Sequence, residues 1–274
     1  MQLENKTYIM GILNVTPDSF SDGGEFINPT AAIKQVKKML SDGADIIDIG
    51  GESTRPGAKN VSVDDELERI VPIIKAIREF SECLISVDTS KAIVMREAVA
   101  AGANIINDVR ALQGDACLDT AAKLNVPVCL MHMQGQPRSM QTKPTYDDVV
   151  LEVKQFLNKR IQACLDAGIK QEKIMIDPGF GFGKTLEHNL TLFKALEEFV
   201  DMNYPVLVGV SRKSMIGQIL NDGVVDTRVD ATIDDRVYAS AVMAALAAQH
   251  GVQILRVHDV KATADAIAVV DCLK

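Results

Sequence analysis

Eight short apolar runs are spread along this chain of 274 residues, and each of them stops at a polar or charged residue. The runs occupy residues 8–13, 46–49, 84–87, 104–106, 128–131, 174–176, 206–210 and 254–255. Strands of a parallel sheet that is buried on both faces have this continuous apolar pattern. The runs therefore predict eight parallel strands.

The residues at which the runs stop are chemically selective. They are Asn14, residues 50–55, Asp88, Asn107, His132, Asp177, Ser211 and residues 256–258. In a (β/α)8 barrel the carboxyl ends of all the strands gather on one rim, where such enzymes keep their active sites. One rim would then hold two amides, two acids and several cations.

The segments between the runs have the periodicity of helices that pack on a sheet. The clearest apolar stripe consists of Leu67, Ile70, Val71, Ile74 and Ile77. Residues spaced by three and four lie on one helix face, and Ser62 with Asp65 predicts an N-cap at the start of that helix. Four glycines stand where a helix should end before the next strand: Gly43, Gly102, Gly168 and Gly251.

Alternation of strand and helix also fits an open, doubly wound sheet. An open sheet, however, concentrates its site near one switch point of the strand order. Functional-looking residues after nearly all eight runs favour a closed sheet instead. Since a barrel typically has roughly 250 residues, we predict an α/β protein with a single (β/α)8 TIM-barrel domain over residues 1–274.

Amino-acid composition limits the kinds of molecule that the protein is expected to bind. Hydrophobic residues make up 47% of the chain, charged residues 24%, and the formal net charge is −8. These values are typical of a soluble globular protein and unfavourable for a protein that tracks nucleic-acid phosphates. We therefore expect small-molecule substrates and no nucleic-acid partner.

Cysteine usage and the N-terminus bear on the compartment. The five cysteines are scattered and contain no C-x-x-C, which favours neither a disulfide framework nor a zinc site and fits a reducing cytoplasm. The first residues lack a basic region followed by an apolar stretch, and the longest apolar segment, residues 239–248, is about half of a membrane span. We expect neither export nor membrane insertion.

Three of the strand ends carry acids or amides that would be buried, namely Asp88, Asn107 and Asp177. A buried carboxylate or amide needs a hydrogen-bonding partner. A flat heterocycle with amino, imino and carbonyl groups would supply one. The alternative is that each residue only caps the following helix, an interpretation that weakens when three such residues share one rim.

Cations gather on the same rim although the chain is acidic. Lys213, Arg256 and His258 together provide the donors that an anionic group such as pyrophosphate requires. Surface ion pairing is the alternative, and it suits Arg212 better than Arg256, which lies within an apolar stretch.

Long polar segments follow the first two strands, at residues 16–26 and 53–61, and are expected to form mobile loops over the rim. Asn14 and the oxygen-rich residues 18–24 suit a partly hydrated Mg²⁺ shared with a phosphate. A solvated turn is the simpler interpretation of that loop taken alone.

The glycine-rich run 179–185 ends like a phosphate-binding P-loop, but the first glycine of that motif would fall at Pro178. The dinucleotide-binding glycine pattern fails as well, because its last glycine would fall at Lys184. We interpret the run as a tight loop that packs aromatic side chains near Asp177. His132, between two methionines, is a weak candidate for a soft metal site and a better one for the lining of an apolar pocket.

With these residues in view, the chain resembles the bacterial dihydropteroate synthases from about Tyr8 to Val260. The resemblance rests on several long segments in the same order. They are GILNVTPDSFSDGG at 11–24, DIGGESTRPG at 48–57, DPGFGFGK at 177–184, SRKS at 211–214 and RVHDV at 256–260.

This resemblance implies a (β/α)8 enzyme that condenses 6-hydroxymethyl-7,8-dihydropterin diphosphate with para-aminobenzoate, with Mg²⁺ as cofactor, in a cytoplasmic homodimer that sulfonamides inhibit. It implies that the pterin contacts are Asp88, Asn107, Asp177 and Lys213, and that Asn14, Arg256 and His258 serve the metal and the diphosphate. By the same resemblance, the para-aminobenzoate pocket is shaped by Phe20, Thr54, Arg55, Pro56 and Ser214. Lys213, Arg256, Asp88 and Asp177 are the residues expected to carry catalysis.

Two rival functions remain open at this point. A methyltetrahydrofolate-binding methyltransferase would share a pterin pocket but has no diphosphate to expel, so the cations Lys213 and Arg256 argue against it. A non-catalytic pterin-binding relative would have no use for the intact loops after the first two strands.

Overall fold

The computed structural model describes residues 6–16, 29–53, 60–136, 140–222 and 232–273. Its strands are β1 (Tyr8–Asn14), β2 (Ile46–Gly50), β3 (Leu84–Asp88), β4 (Ile105–Asp108), β5 (Val128–Met131), β6 (Ile174–Asp177), β7 (Leu207–Val208) and β8 (Ile254–Val257). All paired neighbours are parallel, in the order β6-β5-β4-β3-β2-β1-β8-β7. The predicted eight parallel strands are confirmed.

The two ends of this strand order, β6 and β7, also meet. Ile176 forms a parallel bridge with Val206, and the amide of Ile176 donates a hydrogen bond to the carbonyl of Pro205 at 2.9 Å. Closure removes the free edges that an open sheet would expose. The structure is therefore the (β/α)8 barrel that the sequence predicted.

Most strands lie within one or two residues of the predicted runs, and the differences that matter are at β7 and β8. The seventh run was expected to form a strand over residues 206–210, but β7 contains only Leu207 and Val208. The chain turns away there because the carbonyl of Val210 accepts a hydrogen bond from the amide of Lys213. β8 instead extends past Leu255 to Val257, which places Arg256 inside the barrel strand rather than after it.

The helices follow the strands in the expected alternation. They are α1 (Pro29–Ser41), α2 (Val63–Arg78), α3 (Ala92–Ala101), α4 (Cys117–Leu124), α5 (Val149–Asp166), α6 (Leu186–Lys194), α7 (Leu196–Val200), α8 (Ser214–Asp222), α9 (Val237–Gln249) and α10 (Val260–Cys272). Short 3-10 turns lie at Gln171–Lys173 and Asp234–Arg236. None of the helices in the described part of the chain is long and apolar enough to cross a membrane.

Helix α2 shows how local sequence sets these elements. The hydroxyl of Ser62 accepts a hydrogen bond from the amide of Asp65 at 3.0 Å, as the cap prediction required. Such a cap contributes ~1 kcal/mol. The helix buries Ile70, Ile74 and Ile77 from the predicted stripe, so cap and stripe together fix where it begins and which face meets the sheet.

Side-chain alternation along the strands divides the core in two. Between barrel and helices lies the larger cluster, which contains Ile47 and Ile49 of β2. Inside the barrel lies a smaller one, made of Tyr8, Met10, Ile46, Ile105, Cys129, Met175, Leu207 and Ile254. Because successive residues of a strand point to opposite faces, the first inward-facing residues of the strands form this floor, and the next ones stand above it.

The predicted helix-ending glycines adopt positive φ angles: 104° at Gly43, 121° at Gly102, 86° at Gly168 and 87° at Gly251. Gly179, in the loop after β6, has φ 71° as well. It differs from the others in its surroundings, because a Cβ at this position would overlap the carbonyl oxygen of His132.

Gly168 and Gly179 form a matched pair for a stability test. Gly168→Ala should cost roughly 1–2 kcal/mol, the strain of an L-residue in left-handed backbone, since a Cβ there meets nothing within 4 Å. Gly179→Ala should cost clearly more, because it adds a collision with the His132 carbonyl. Urea unfolding of both variants measures the difference, and equal losses would contradict the packing around Gly179.

Candidate active site

A polar layer stands on the apolar floor inside the barrel. Its members come from five strands: Asp48 of β2, Ser86 and Asp88 of β3, Asn107 of β4, Asp177 of β6 and Arg256 of β8. All of these except Arg256 are buried, and the side chain of Arg256 is 20% exposed. The strands thus place acids, an amide and a cation at one level of the barrel.

Arg256 of β8 reaches past β1 to acids on β2 and β3. Its Nε donates a hydrogen bond to Asp48 at 2.6 Å and one Nη donates to Asp88 at 2.8 Å. Asp48 also accepts a hydrogen bond from the side-chain Nδ2 of Asn107 at 3.3 Å. A planar guanidinium with several fixed N–H donors can hold two carboxylates in this way.

Two buried acids therefore share one part-buried guanidinium. Burial raises the pKa of Asp88 to about 7, against the opposing charge of Arg256 and with the help of the Asp48 carboxylate. Burial disfavours the charged form of Arg256, but Asp48 and Asp88 outweigh it and hold the pKa of Arg256 above its ordinary value. Arg256 thus stays charged, while Asp88 is ready to gain or lose a proton near neutral pH.

Asp177 and Lys213 form the opposite side of the layer. The carboxylate of Asp177 accepts a hydrogen bond from the amide of Gly179 at 2.7 Å. The ammonium of Lys213 donates to the carbonyl of Phe180 and lies 4.4 Å from the centre of the Phe182 ring. The loop after β6 therefore contacts both charged groups.

Burial shifts both groups toward their neutral forms. It raises the pKa of Asp177, opposed by the positive charges of Lys213, Lys184 and Arg256. It lowers the pKa of Lys213 to about 8, opposed chiefly by the negative charge of Asp177. The charged form of each group is stabilised by the charge of the other. A ligand between them would therefore contact a negative carboxylate on one side and a positive ammonium on the other.

The segments that follow β7 and β8 complete the mouth of the barrel, which is the open end above the polar layer. The amide of His258 donates a hydrogen bond to the hydroxyl of Ser211 at 3.1 Å. Arg212 turns outward in a left-handed conformation with φ 57° and forms an ion pair with Asp259. The sequence predicted that surface ion pairing suits Arg212 better than Arg256. The structure agrees, because Arg212 pairs with Asp259 outside the barrel while Arg256 lies within β8. Ser214 is exposed at the first position of α8.

Several predicted site residues lie outside the described part of the chain. They are Asp18, Phe20, Thr54, Arg55 and Pro56. Asn14 is described: it ends β1, is half-buried and pairs in register with Gly50. Within the described ranges, no group of three or more His, Cys, Asp or Glu side chains is arranged to hold a metal ion.

A cavity of about 220 Å³ opens beside the mouth, between α6 and α8. Lys184 and Ser214 line it, together with Thr185 and Gln218. The acids of the polar layer and Arg256 are not among its lining residues. The charged chemistry thus lies in the barrel, and this cavity is a neighbouring cleft.

Asp48 and Lys184 are among the buried charged residues that sequence reasoning missed. Asp48 interrupts the apolar residues of β2, and its inward position could have been found from the alternation of the strand. Lys184 was considered only as part of a rejected P-loop. Its Nζ lies 2.9 Å from Nδ1 of His132 and donates to the carbonyl of Gly179 at 2.9 Å. The glycine-rich run is the tight loop predicted, with Phe180 buried against Phe193.

Comparison with known proteins adds to this geometry. Residues 10–258 match the family described as pterin binding enzyme. The chain is 56% identical to dihydropteroate synthase of Haemophilus influenzae over 261 residues, which cover 95% of this chain and 92% of the relative.

Solved structures agree. A sulfonamide complex of Yersinia pestis dihydropteroate synthase superposes with a TM-score of 0.90 at 50% identity, covering 98% of this chain and 94% of that one. Xanthomonas albilineans dihydropteroate synthase with 4-aminobenzoic acid superposes with a TM-score of 0.90 at 46% identity, covering 98% and 93%. The match extends over nearly the whole of each chain, barrel and polar layer included, and the chain belongs to the dihydropteroate synthase family of pterin binding enzymes.

Proposed function

We propose that the polar layer and the rim above it catalyse the condensation of 6-hydroxymethyl-7,8-dihydropterin diphosphate with para-aminobenzoate, giving 7,8-dihydropteroate and pyrophosphate in folate synthesis. The observation that carries this proposal is that the buried residues Asp88, Asn107 and Asp177 lie together with the part-buried cations Lys213 and Arg256, in a chain that belongs to this family. The chemistry of each group fits one part of the reaction.

The pterin ring is the ligand proposed for the polar layer. Carboxylates accept hydrogen bonds from ring and amino N–H groups, and Asn107 offers both a donor and acceptors. Lys213 donates to a ring oxygen or nitrogen. The apolar floor below keeps water out, so each of these hydrogen bonds is stronger than it would be in solvent.

Diphosphate departure is the step that needs positive charge. Arg256 already uses two N–H groups on Asp48 and Asp88, and its remaining donors can bind phosphate oxygens nearer the solvent. His258, two residues farther along the chain and just past the end of β8, adds a further donor. These two residues would stabilise the negative charge that develops as the carbon–oxygen bond breaks.

The reaction then follows from the electron-rich dihydropterin. Breaking the bond between the methylene carbon and the diphosphate oxygen leaves a cation that the ring stabilises. The amine of para-aminobenzoate attacks this carbon and loses a proton. No covalent bond to the enzyme is required, so catalysis rests on positioning and on electrostatic stabilisation.

Magnesium is the proposed cofactor, and Asn14 is the residue that would hold it together with the diphosphate. Mg²⁺ usually keeps several waters and takes only one or two protein ligands besides substrate phosphates. An amide oxygen on β1, next to the strand that carries Arg256, fits that requirement. When bound, the ion would neutralise charge on the leaving diphosphate.

The para-aminobenzoate pocket is proposed for Phe20, Thr54, Arg55, Pro56 and Ser214. Ser214 directly follows Lys213 at the start of α8, so this pocket would adjoin the pterin site. The Xanthomonas albilineans relative was solved with 4-aminobenzoic acid, which supports a site for that substrate in this family.

An assay of pyrophosphate tests the function directly. The enzyme should release pyrophosphate from the pterin diphosphate in equal amounts with dihydropteroate when para-aminobenzoate and Mg²⁺ are present. Arg256→Ala should lower turnover by about two orders of magnitude or more and weaken pyrophosphate binding, whereas Thr54→Ala should mainly raise the KM for para-aminobenzoate.

Circular dichroism of both variants provides the control for folding, because Arg256→Ala leaves two buried acids without their partner. Small and equal effects of the two substitutions would contradict the assignment. Pterin binding without any pyrophosphate release by the unaltered enzyme would favour the methyltransferase-like or non-catalytic alternative.

The pKa of Asp88 predicts a pH dependence of pterin binding. A ligand that donates N–H groups to Asp88 needs the carboxylate form, whose free-enzyme pKa is about 7. Affinity for a pterin should therefore rise by about tenfold per unit between pH 5 and 6.5 and level off above 7. Calorimetric titration of the enzyme and of Asp88→Asn measures this, and an equally steep rise in the variant would refute the role of Asp88.

The raised pKa of Asp88 has the opposite effect on the stability of the ligand-free protein, which decreases as the pH rises. Between the unfolded value of 3.8 and about 7, native Asp88 holds a proton that the unfolded chain has released. The contribution of Asp88 to stability therefore falls as the pH rises through this interval.

A homodimer is proposed from the exposed face of α9. Tyr238, Val242 and Leu246 are spaced by four residues and are 84%, 58% and 43% exposed. Side chains at this spacing form one stripe, and a contiguous apolar stripe on a surface is typical of a protein interface. The neighbouring helix α10, which packs on α9, exposes Val269, and Leu273 at its C-terminal cap is exposed as well.

Val242→Asp should convert the proposed dimer to monomers, because a carboxylate would be desolvated at the interface. Ile93→Asp is the control, since Ile93 is an exposed apolar residue on α3. Sedimentation velocity at micromolar concentration distinguishes the two states. If both variants sediment like the unaltered protein, α9 is not the interface.

A cytoplasmic location is proposed as well. All five cysteines are free thiols, and three of them, Cys117, Cys129 and Cys164, are buried. Thiols persist in this state in a reducing compartment.

A further inference from the structure

Lys184 is a buried lysine that the reaction proposed above does not use. Only 3% of it is exposed. Its Nζ lies 2.9 Å from Nδ1 of His132 and donates hydrogen bonds to the carbonyl oxygens of Gly179 at 2.9 Å and Phe182 at 3.1 Å. A lysine so deep in a protein needs a structural or functional reason.

The three contacts match the protonated form of the side chain. An ammonium has three N–H donors and no acceptor, and it meets two carbonyl oxygens and one ring nitrogen here. Burial, with the nearby charge of Lys184, lowers the pKa of His132 to about 2, so the imidazole is neutral and its Nδ1 can accept. Burial lowers the pKa of Lys184 itself to about 7, and Asp177 opposes that shift.

The loop that Lys184 holds is the one that contacts the pterin site. Gly179 donates its amide to Asp177, and the carbonyl of Phe180 accepts from Lys213. The Phe182 ring lies under the Lys213 ammonium. Lys184 thus binds the carbonyls of two residues, Gly179 and Phe182, that flank the contact with Lys213.

We propose that Lys184 is a positioning residue for the pterin site: from behind the loop at residues 179–183, it fixes the carboxylate of Asp177 and the ammonium of Lys213 in their binding orientations. This inference rests on the proposed function and adds to it a residue that need not touch the substrate. Lys184 acts through the loop backbone and through its charge.

The charge of Lys184 has a measurable effect on Asp177. The titratable and charged groups that interact with Asp177 come from four places around it. They are Lys184 of the loop after β6, Lys213 of the segment after β7, Arg256 of β8 and Cys129 of β5. Lys184 is one of three cations that oppose the effect of burial. Removing its charge should raise the pKa of Asp177 further, whereas removing the charge of Lys173, at the other end of β6, should leave that pKa unchanged.

Lys184→Met tests the proposal, with Lys173→Met as the matched control. Lys173 lies just before β6, and its ammonium also binds protein oxygens, the carbonyl and side chain of Asn125, at the opposite end of the same strand. Lys184→Met should raise the KM for the pterin diphosphate at least tenfold and lower kcat. Lys173→Met should leave both kinetic constants within twofold of the original values.

A charge-specific measurement accompanies the kinetics. Proteins labelled with ¹³C at aspartate carboxyl carbons are titrated by NMR, and the Asp177 signal is assigned by its loss in Asp177→Asn. The Asp177 titration should move to higher pH in Lys184→Met. It should return toward the original value in Lys184→Arg, which restores the positive charge.

The outcomes separate this inference from the proposed function. If the unaltered enzyme releases pyrophosphate but Lys184→Met changes neither the KM for pterin diphosphate nor the Asp177 titration, the positioning role is wrong. If the unaltered enzyme releases none, the proposed function fails, whereas the NMR titration still tests the effect of Lys184 on Asp177.

If Lys184→Met does not fold, His132→Phe tests the proposal instead. Phenylalanine keeps a ring in contact with Phe156, whose centroid lies 5.0 Å from that of His132, but removes the acceptor for Lys184. Pterin binding should weaken in the same direction as in the Lys184 variant, by a smaller factor. Unchanged pterin binding by a folded His132→Phe would overturn the proposal.

Discussion

The ion pairs of Arg256 with Asp48 and Asp88 are the interaction on which the site depends. They join β8, β2 and β3 above the floor of the barrel, at distances of 2.6 and 2.8 Å. Taking these charges out of water is costly, and the cost is repaid only when each charge has its partner. Loss of one partner from a buried pair typically costs roughly 3–5 kcal/mol, so the closed barrel and its charged centre stabilise each other.

The same burial sets the chemistry of the neighbouring groups. The apolar floor below and the close packing around the polar layer shift Asp88 to a pKa of about 7 and Lys213 to about 8. Both values lie near physiological pH, where a small change in the local field changes the charge. Perturbed pKa values of this kind are common at functional sites, and here a bound ligand would decide which charge state prevails.

The loop after β6 connects this centre to a second cation. It is rich in glycine because its backbone must pass within contact of the His132 carbonyl and of the Lys213 side chain, and a Cβ at Gly179 or Gly181 would crowd them. These close backbone contacts, rather than phosphate binding, explain the glycine pattern that resembles a phosphate-binding motif. Its carbonyl oxygens bind the lysines Lys184 and Lys213, and no phosphate is needed to explain the run.

Sequence alone determined the number and order of the strands, the cap at Ser62 and the helix-ending glycines, because each of these follows from local periodicity or from the backbone freedom of a single residue. It also identified Asp88, Asn107, Asp177, Lys213 and Arg256 as candidates, since a polar residue at the end of a buried strand is conspicuous. Tertiary structure decided which of them touch: the partners Asp48 and Arg256 are 208 positions apart. It also decided the length of β7 and the burial of Lys184, because ladder pairing and desolvation depend on neighbours that only the closed barrel brings together.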